Sequence, residues 1–322
     1  MLLLSGLTVV LSALGCWAYL LLARRWHLLD HPNHRSSHQV PTPHGGGTII
    51  VLSLALGFVA GSFVLPWTWS PVLLLILILA LLLMLLGVLD DIRSLSVRLR
   101  FSIYGLSCLL AVWFSLQPIT LIDGLYLLPV SFAVLWLLNL YNFMDGIDGL
   151  AALQCIGACA MASLLACSDD YALFCVLLAC AHLGFLVWNF PPARLFMGDA
   201  GSVPTGFLVA ALALYGQTSG ALSVAVWLIL LAGFIVDAST TLLRRWCRGE
   251  NIFQAHRDHF YQRLSRHWQS HKKVDIAFVI LLFGWLLPLA WCAQTYQSHA
   301  LFPVILAYLP LFVVMAKTRD LT

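Results

Sequence analysis

Residues 71–89, PVLLLILILALLLMLLGVL, run without one charged side chain and end directly in Asp90 and Asp91. About 20 apolar residues in a helix cross the hydrocarbon core of a bilayer, and within lipid every backbone polar group must find its partner inside the segment. The stretch therefore commits this chain to a membrane-spanning helix. It also delivers two adjacent carboxylates to the membrane surface. Such neighbours repel each other and are costly to hold at an interface unless a cation or a proton relieves them. Taken alone, the pair reads equally well as a helix stop before a solvated loop.

The remaining sequence has the same character. Of 322 residues, 61% are apolar and only 10% charged, against roughly a quarter charged in soluble domains. The composition defines an all-α polytopic integral membrane protein and gives no reason to expect a nucleic-acid partner. Nine cysteines follow no paired spacing, and most lie inside apolar runs, as small core residues do. Eleven apolar segments are expected to span: 2–22, 48–65, 71–89, 101–117, 126–141, 150–167, 171–189, 203–216, 222–241, 274–293 and 300–316. The shortest, 126–141 and 203–216, are the weakest. The first segment lacks a preceding basic region and is read as a retained span. Residues 1–322 are expected to form one membrane domain.

Threading these segments alternately places residues 23–47, 90–100, 142–149, 190–202, 242–273 and the C-terminal tail on one side. That side receives all 17 Lys and Arg residues. By the positive-inside rule this face is cytoplasmic, the N-terminus periplasmic and the C-terminus cytoplasmic. The opposite loops are short and chemically plain, so chemistry is expected on the cytoplasmic face.

Five internal loops carry polar groups. The first, DHPNHRSSHQVPTPHGGG (30–47), ends in glycines, Gly46 and Gly47 among them, whose amides could approach a phosphate closely. A tight re-entry turn is the simpler reading. The second, DDIRSLSVRLR, sets Arg93, Arg98 and Arg100 beside Asp90 and Asp91, as self-neutralising surface charge or as a diphosphate clamp. In the third, NLYNFMDGIDG, Asn139, Asn142, Asp145 and Asp148 recur every three residues. A continued helix would present their oxygens on one side, and oxygen donors suit Mg²⁺. Asn/Asp/Gly turns are also common at helix ends. The fourth, NFPPARLFMGDAGS, holds Asp199 between glycines, with Asn189 and Phe196 suited to a nucleobase; a helix cap at Asp199 is the plain alternative. The fifth contains AHRDHFYQRL, where His256, His259 and Arg263 would share a helical face, together with Arg257. Anion binding and a basic amphipathic helix on anionic lipid both fit it. Asp237, inside a span, is a supporting candidate; His182 reads as a satisfied core histidine.

The motifs LDDIRSLSVRLR, NLYNFMDGIDGLA, GFLVWNFPPARLFMGDAGS and AHRDHFYQRL, in this order and on one face, make the chain resemble the polyprenyl-phosphate N-acetylhexosamine-1-phosphate transferases. That superfamily contains the phospho-N-acetylmuramoyl-pentapeptide translocase and the initiating enzymes of O-antigen and common-antigen synthesis. The resemblance covers essentially the whole chain. It implies transfer of a sugar 1-phosphate from a UDP-linked N-acetylated sugar to undecaprenyl phosphate in the bacterial inner membrane, releasing UMP. It implies Mg²⁺, with Mn²⁺ as a substitute, held by Asp199 and Asn142. Asp90 and Asp91 would meet the lipid phosphate, one of them as base or, alternatively, as a covalent nucleophile. Nucleotide-sugar contacts would come from Asn189, Phe196, Asp145, Asp148, Gly46 and Gly47, and diphosphate contacts from Arg100, His256, Arg257, His259 and Arg263. The expected partners are undecaprenyl phosphate, the UDP-sugar, the bilayer and, optionally, a second copy as a homodimer.

Three departures separate the chain from the pentapeptide translocases. Ser94 stands where they carry lysine, His256-Arg257-Asp258-His259 replaces consecutive histidines, and RSSHQVPTPHGGG replaces a Lys-containing GTPTMGG-like segment. All three favour the surface-glycan branch, with UDP-GlcNAc or a deoxy-aminosugar such as UDP-FucNAc or UDP-QuiNAc. The competing classes are a transporter or flippase, which would need polar groups on both faces, and a CDP-alcohol phosphotransferase, whose clustered-aspartate helix is absent from the sequence.

Overall fold

A computed structural model describes residues 1–25, 28–30, 40–117, 120–251 and 256–318, without the side chains of 121–123. The first loop's residues 31–39, including Arg35, and the tail residue Arg319 lie outside the described residues. The helices are α1 (Leu2–Arg25), α2 (Gly47–Val64), α3 (Pro71–Arg93), α4 (Val97–Leu116), α5 (Leu121–Phe143), α6 (Leu150–Leu165), α7 (Asp169–Asn189), α8 (Asp199–Ser219), α9 (Val224–Leu230), α10 (Ala232–Cys247), α11 (Phe260–Trp268), α12 (His271–Leu281), α13 (Leu287–Thr295) and α14 (Leu301–Lys317). A five-residue π segment, Leu282–Leu286, joins α12 to α13 directly ahead of Pro288, which has no N–H to give the ladder. Strands β1 (Leu29–Asp30) and β2 (Thr42–Pro43) pair antiparallel.

Each of the eleven apolar segments falls on helix. By length and composition, however, seven helices among the described residues qualify as spans, or eight if a bent pair counts as one. That pair is α9 and α10, which meet at 68°. The expected straight span 222–241 is thus broken at Leu231, and α10 continues to Cys247 with Arg244 and Arg245 in its last turn. The segments 150–167 and 300–316 form the shorter apolar helices α6 and α14.

One of the two weakest expected spans, 203–216, becomes the centre. α8 packs against α2, α3, α4 and α5, and every residue from Ala200 to Ala213 is buried. Small residues permit this, because in lipid helices attract one another through close backbone approach and shape fit. A Cβ on Gly47 would lie 2.1 Å from the Gly201 Cα, and one on Gly206 would lie 2.7 Å from the Leu138 carbonyl oxygen. A helix enclosed on all sides needs no lipid-facing leucines, hence its weak hydropathy signal. α1 and α7 pair in the same close way: Ser12 donates to the Ala181 carbonyl at 2.6 Å.

Candidate active site

The polar groups gather where α3, α4, α5 and α8 end or begin. α3 stops because Ser94 turns left-handed (φ 48°) and returns its amide to the Asp90 carbonyl. That turn brings the Leu95 amide onto Asp90 Oδ1 at 2.7 Å and Arg100, in the first turn of α4, onto Asp90 Oδ2 at 2.5 Å. The Arg100 guanidinium also reaches Asp199 Oδ2 at 3.4 Å. Two carboxylates from loops far apart in sequence therefore share one arginine. Their meeting depends on Gly87, one turn before Asp90. A Cβ there would come within 2.5 Å of the Ala200 amide nitrogen and 2.8 Å of the Asp199 carbonyl carbon.

Asp91 lies beside His44, whose Nδ1 is 3.5 Å from its Oδ2. Hydrogen bonding to Asp91 raises the His44 pKa, aided by the charges of Asp91, Asp30 and Asp199 and opposed by burial. His44 was not among the expected site residues; a histidine directly before the glycine run was the available sign. Gly46 and Gly47 behave differently from expectation. Their amides donate to the Phe196 and Met197 carbonyls at 2.9 and 3.0 Å, and the Phe196 amide donates to Pro43 at 2.8 Å. These two amides are thus committed to the fourth loop and are not offered to a phosphate. A Cβ on Gly46 would strike Leu195 at 2.7 Å, so these glycines serve loop and helix contact.

Asp199 opens α8, at the positive end of its dipole. Desolvation first, then the charge of Asp91, raises its pKa; Asp90 adds to this, while Arg100 and a hydrogen bond from Asn142 oppose it. Asn142 accepts from Ser202 Oγ at 2.6 Å, which ties the end of α5 to the first turn of α8. The expected helical face Asn139–Asn142–Asp145–Asp148 does not form. α5 ends at Phe143, Asn139 bonds back to the Leu135 carbonyl at 2.7 Å, and Asp145 and Asp148 sit in the following turn. Desolvation, then the charges of Asp199 and Asp148, push the Asp145 carboxyl well above its usual range. It therefore belongs to the same electrostatic cluster as Asp199.

Asp148 and Asn189 hold loops together. Asp148 Oδ2 accepts from the Ala193 amide at 3.0 Å and lies 3.2 Å from His271 Nδ1. Asn189 is buried, takes the Gly149 amide on its oxygen and gives its nitrogen to the Leu195 carbonyl, each at 3.0 Å. Both contacts serve backbone, and Phe196, also in the fourth loop, is half-buried. Nearby, both oxygens of buried Asp275 have no hydrogen-bond partner, a feature that sequence gave no reason to expect.

The histidine loop reaches this cluster through Asp237. This carboxylate of α10 accepts the Phe260 and Tyr261 amides at 2.7 and 2.9 Å, capping α11, and Tyr261 in turn donates to the Phe143 carbonyl at 2.9 Å. His259 stacks on Phe143 at 6.2 Å and on His256 at 4.8 Å. His256 and His259 precede α11, so they do not share a helical face with Arg263. Arg263 donates to the Thr318 carbonyl at 3.0 Å, at the end of α14, while the Arg257 carbonyl accepts from Arg266 at 2.9 Å. Replacing Asp237 by Ala strips two amides of their acceptor. Thermal unfolding should show a loss of about 1–3 kcal/mol, and an unchanged midpoint would refute the capping role.

Burial, then the charges of His259 and Arg245, lower the His256 pKa to about 4. Since an unfolded histidine titrates near 6.5, the unfolded chain takes up a proton that the folded site refuses. The stability this site contributes is full above about pH 6.5 and declines as pH falls toward 4. His256→Gln should flatten the acid limb of a melting-point profile between those values.

Among the described residues, no three His, Cys, Asp or Glu side chains form a ready metal cage. Asp199, Asp90, Asp91 and Asp145 nonetheless bring carboxylate oxygens together there, and that surplus of negative charge favours a cation. Mg²⁺ commonly takes one or two carboxylates and shares the remainder with water and substrate phosphates, so the donor set fits that ion.

Fold and site together define a polytopic membrane protein with a carboxylate cluster organised on one arginine. The profile of Glycosyl transferase family 4 matches residues 73–217, the part that carries α3 to α8. The chain is 30% identical over 274 residues to a probable undecaprenyl-phosphate N-acetylglucosaminyl 1-phosphate transferase of Bacillus subtilis, covering 80% of this chain and 75% of that one. It is 29% identical over 309 residues to a decaprenyl-phosphate N-acetylglucosaminephosphotransferase of Mycobacterium leprae, covering 82% and 76%. A phospho-N-acetylmuramoyl-pentapeptide-transferase of Synechococcus matches at 33% over 279 residues, 76% of this chain and 73% of that one. The chain belongs to glycosyl transferase family 4, alongside the polyprenyl-phosphate N-acetylglucosamine 1-phosphate transferases.

Proposed function

We propose that this protein transfers an N-acetylated sugar 1-phosphate from a UDP-sugar to undecaprenyl phosphate in the bacterial inner membrane. UMP leaves, and the lipid diphosphate sugar formed starts an O-antigen or related surface glycan. The observation that carries this reading is the meeting of Asp90 and Asp199 on Arg100, with Asp91, Asn142 and Asp145 around them. The relatives named for a polyprenyl-phosphate acceptor and N-acetylglucosamine 1-phosphate support it. A transporter needs no such one-ended cluster.

In this scheme an oxygen of the lipid phosphate attacks the phosphorus that bears the sugar. The bond from that phosphorus to the UMP oxygen breaks, and the lipid's proton passes to the Asp90–Asp91 pair. Asp90 is fixed by Arg100 and the Leu95 amide, while Asp91 stands beside His44, so the pair offers one anchored and one less constrained carboxylate. Asp199 and Asn142 would hold Mg²⁺, which when bound would offset charge on the diphosphate oxygens. Arg100 holds two carboxylates in register for that charge, and the stacked His256 and His259 flank the cluster as diphosphate contacts. We assign the cluster to the cytoplasmic face. Arg24 and Arg25, Arg93, Arg244 and Arg245, and Lys317 all sit in the last turns of their helices, α1, α3, α10 and α14, as the positive-inside rule expects of cytoplasmic ends.

The test is a panel in which purified protein, undecaprenyl phosphate and Mg²⁺ meet UDP-GlcNAc, UDP-FucNAc, UDP-QuiNAc and UDP-MurNAc-pentapeptide, with UMP followed. Release with one of the first three supports the surface-glycan assignment. Release with the pentapeptide substrate alone would overturn that branch, and silence with all four would overturn the reaction.

A further inference from the structure

Away from the carboxylate cluster, a groove of about 640 Å³ opens between α10, α11 and α14. Its walls include four arginines, Arg244, Arg245, Arg248 and Arg263, against one aspartate, Asp258. Asp258 and Glu250 both hold Arg245, the latter at 2.8 Å, and Glu250 also lies 4.0 Å from Arg248, so four guanidinium groups share two neighbouring acids. Arg244 and Arg263 donate to the Met315 and Thr318 carbonyls at 3.1 and 3.0 Å, which steadies two guanidinium groups at the end of α14. Arg248 stands at the rim with its side chain 73% exposed.

The same groove has an apolar wall. Leu243 and Phe312 line it and are 56% and 46% exposed. Leu309, Val313 and Trp246 continue outward from them as exposed apolar side chains on the same two helices. Cations above and bare apolar surface below repeat the vertical order of a lipid, with a phosphate at the headgroup level and chains beneath it. Clustered arginines immediately outside the hydrocarbon attract anionic headgroups, and a tryptophan marks that interfacial level. The volume lies within the roughly 300–1,000 Å³ typical of small-molecule sites.

We propose that this groove holds the headgroup of an anionic phospholipid of the surrounding bilayer, with the lipid phosphate among Arg244, Arg248 and Arg263 and an acyl chain along Leu243 and Phe312. The occupant is a membrane phospholipid because charge complementarity and the exposed apolar wall have to be met together. A free phosphate would use only the upper half. The site stands apart from the Asp90–Asp199 cluster and does not depend on the reaction proposed above. Bound there, the lipid joins the ends of α10 and α14 next to Asp237, whose carboxylate caps the helix that follows the histidine loop.

Native mass spectrometry of the full-length protein in detergent tests this with three probes: phosphatidylglycerol, phosphatidylcholine and undecaprenyl phosphate. Phosphatidylglycerol should be retained at least tenfold better than phosphatidylcholine, and inorganic phosphate at millimolar concentration should not displace it. Arg244→Gln and Arg248→Gln should each weaken retention about fivefold. Cys247→Trp, from an exposed position on the lining, should block the groove without removing a charge, which guards against misfolding of an arginine variant. Equal retention of the two phospholipids, or unchanged retention in all three variants, would overturn the site. Displacement by inorganic phosphate would make it a soluble-anion site. Preference for undecaprenyl phosphate would make it the acceptor's own and overturn the phospholipid assignment.

Discussion

Asp199→Asn should lower Mg²⁺-dependent UMP release by on the order of 10²–10³-fold or more while leaving the protein as stable as before, or more so. The two halves of that expectation have one cause. Desolvation first, then repulsion from the neighbouring carboxylates, raises the Asp199 pKa. The amide keeps the shape and the hydrogen-bonding size of the side chain but removes one charge from the crowd. Arg100 keeps its closer partner, Asp90, at 2.5 Å. Folding therefore gains from relieved repulsion, whereas a metal-dependent reaction loses an anionic ligand. Full activity in the variant would sink the metal assignment. Lost activity with a lower melting point would instead mean that Asp199 is a structural residue.

The second large effect is expected at Gly87→Ala, where no charge is touched. The added methyl would meet the Ala200 nitrogen and Cα at 2.5 and 2.6 Å. Backbone atoms cannot rotate aside, so the start of α8 must withdraw from α3. Overpacking of this kind costs about 1–3 kcal/mol. It also moves Asp199 relative to Asp90, and a displacement of about 1 Å at a reacting constellation can cost on the order of 10²-fold in rate. Both the melting point and the turnover of UMP at saturating substrate should fall. Gly105→Ala is the control, because a Cβ there meets nothing within 4 Å; it should be neutral or slightly stabilising. Wild-type stability and turnover in Gly87→Ala would refute the close crossing of α3 and α8.

Much of the site was readable because charged and amide side chains are scarce in a membrane chain. Asp90, Asp91, Arg100, Asn142, Asp145 and Asp199 stood out against apolar surroundings, and the structure brings them into one cluster. Their local geometry was less readable. A three-residue spacing from Asn139 to Asp148 resembles a helical face, but spacing carries no information about where α5 stops. The glycines before α2 look alike whether their amides meet a phosphate or a carbonyl, and only the pairing of Gly46 and Gly47 with Phe196 and Met197 distinguishes the two. Arg263 shares a sequence period with His256 and His259 yet turns to the end of α14, because α11 begins only after them.

Sequence alone determined that this chain lives in a membrane and which loops between its apolar segments hold its polar and charged side chains. Those are consequences of the energetic cost of charge in lipid, which is paid residue by residue and so can be read residue by residue. Tertiary structure decided that one of the two shortest expected spans, α8, is the central helix, that span 222–241 breaks at Leu231, and that Asp237 caps the helix after the histidine loop. These follow from packing and hydrogen bonding between segments far apart in the chain, and no single stretch of sequence records them.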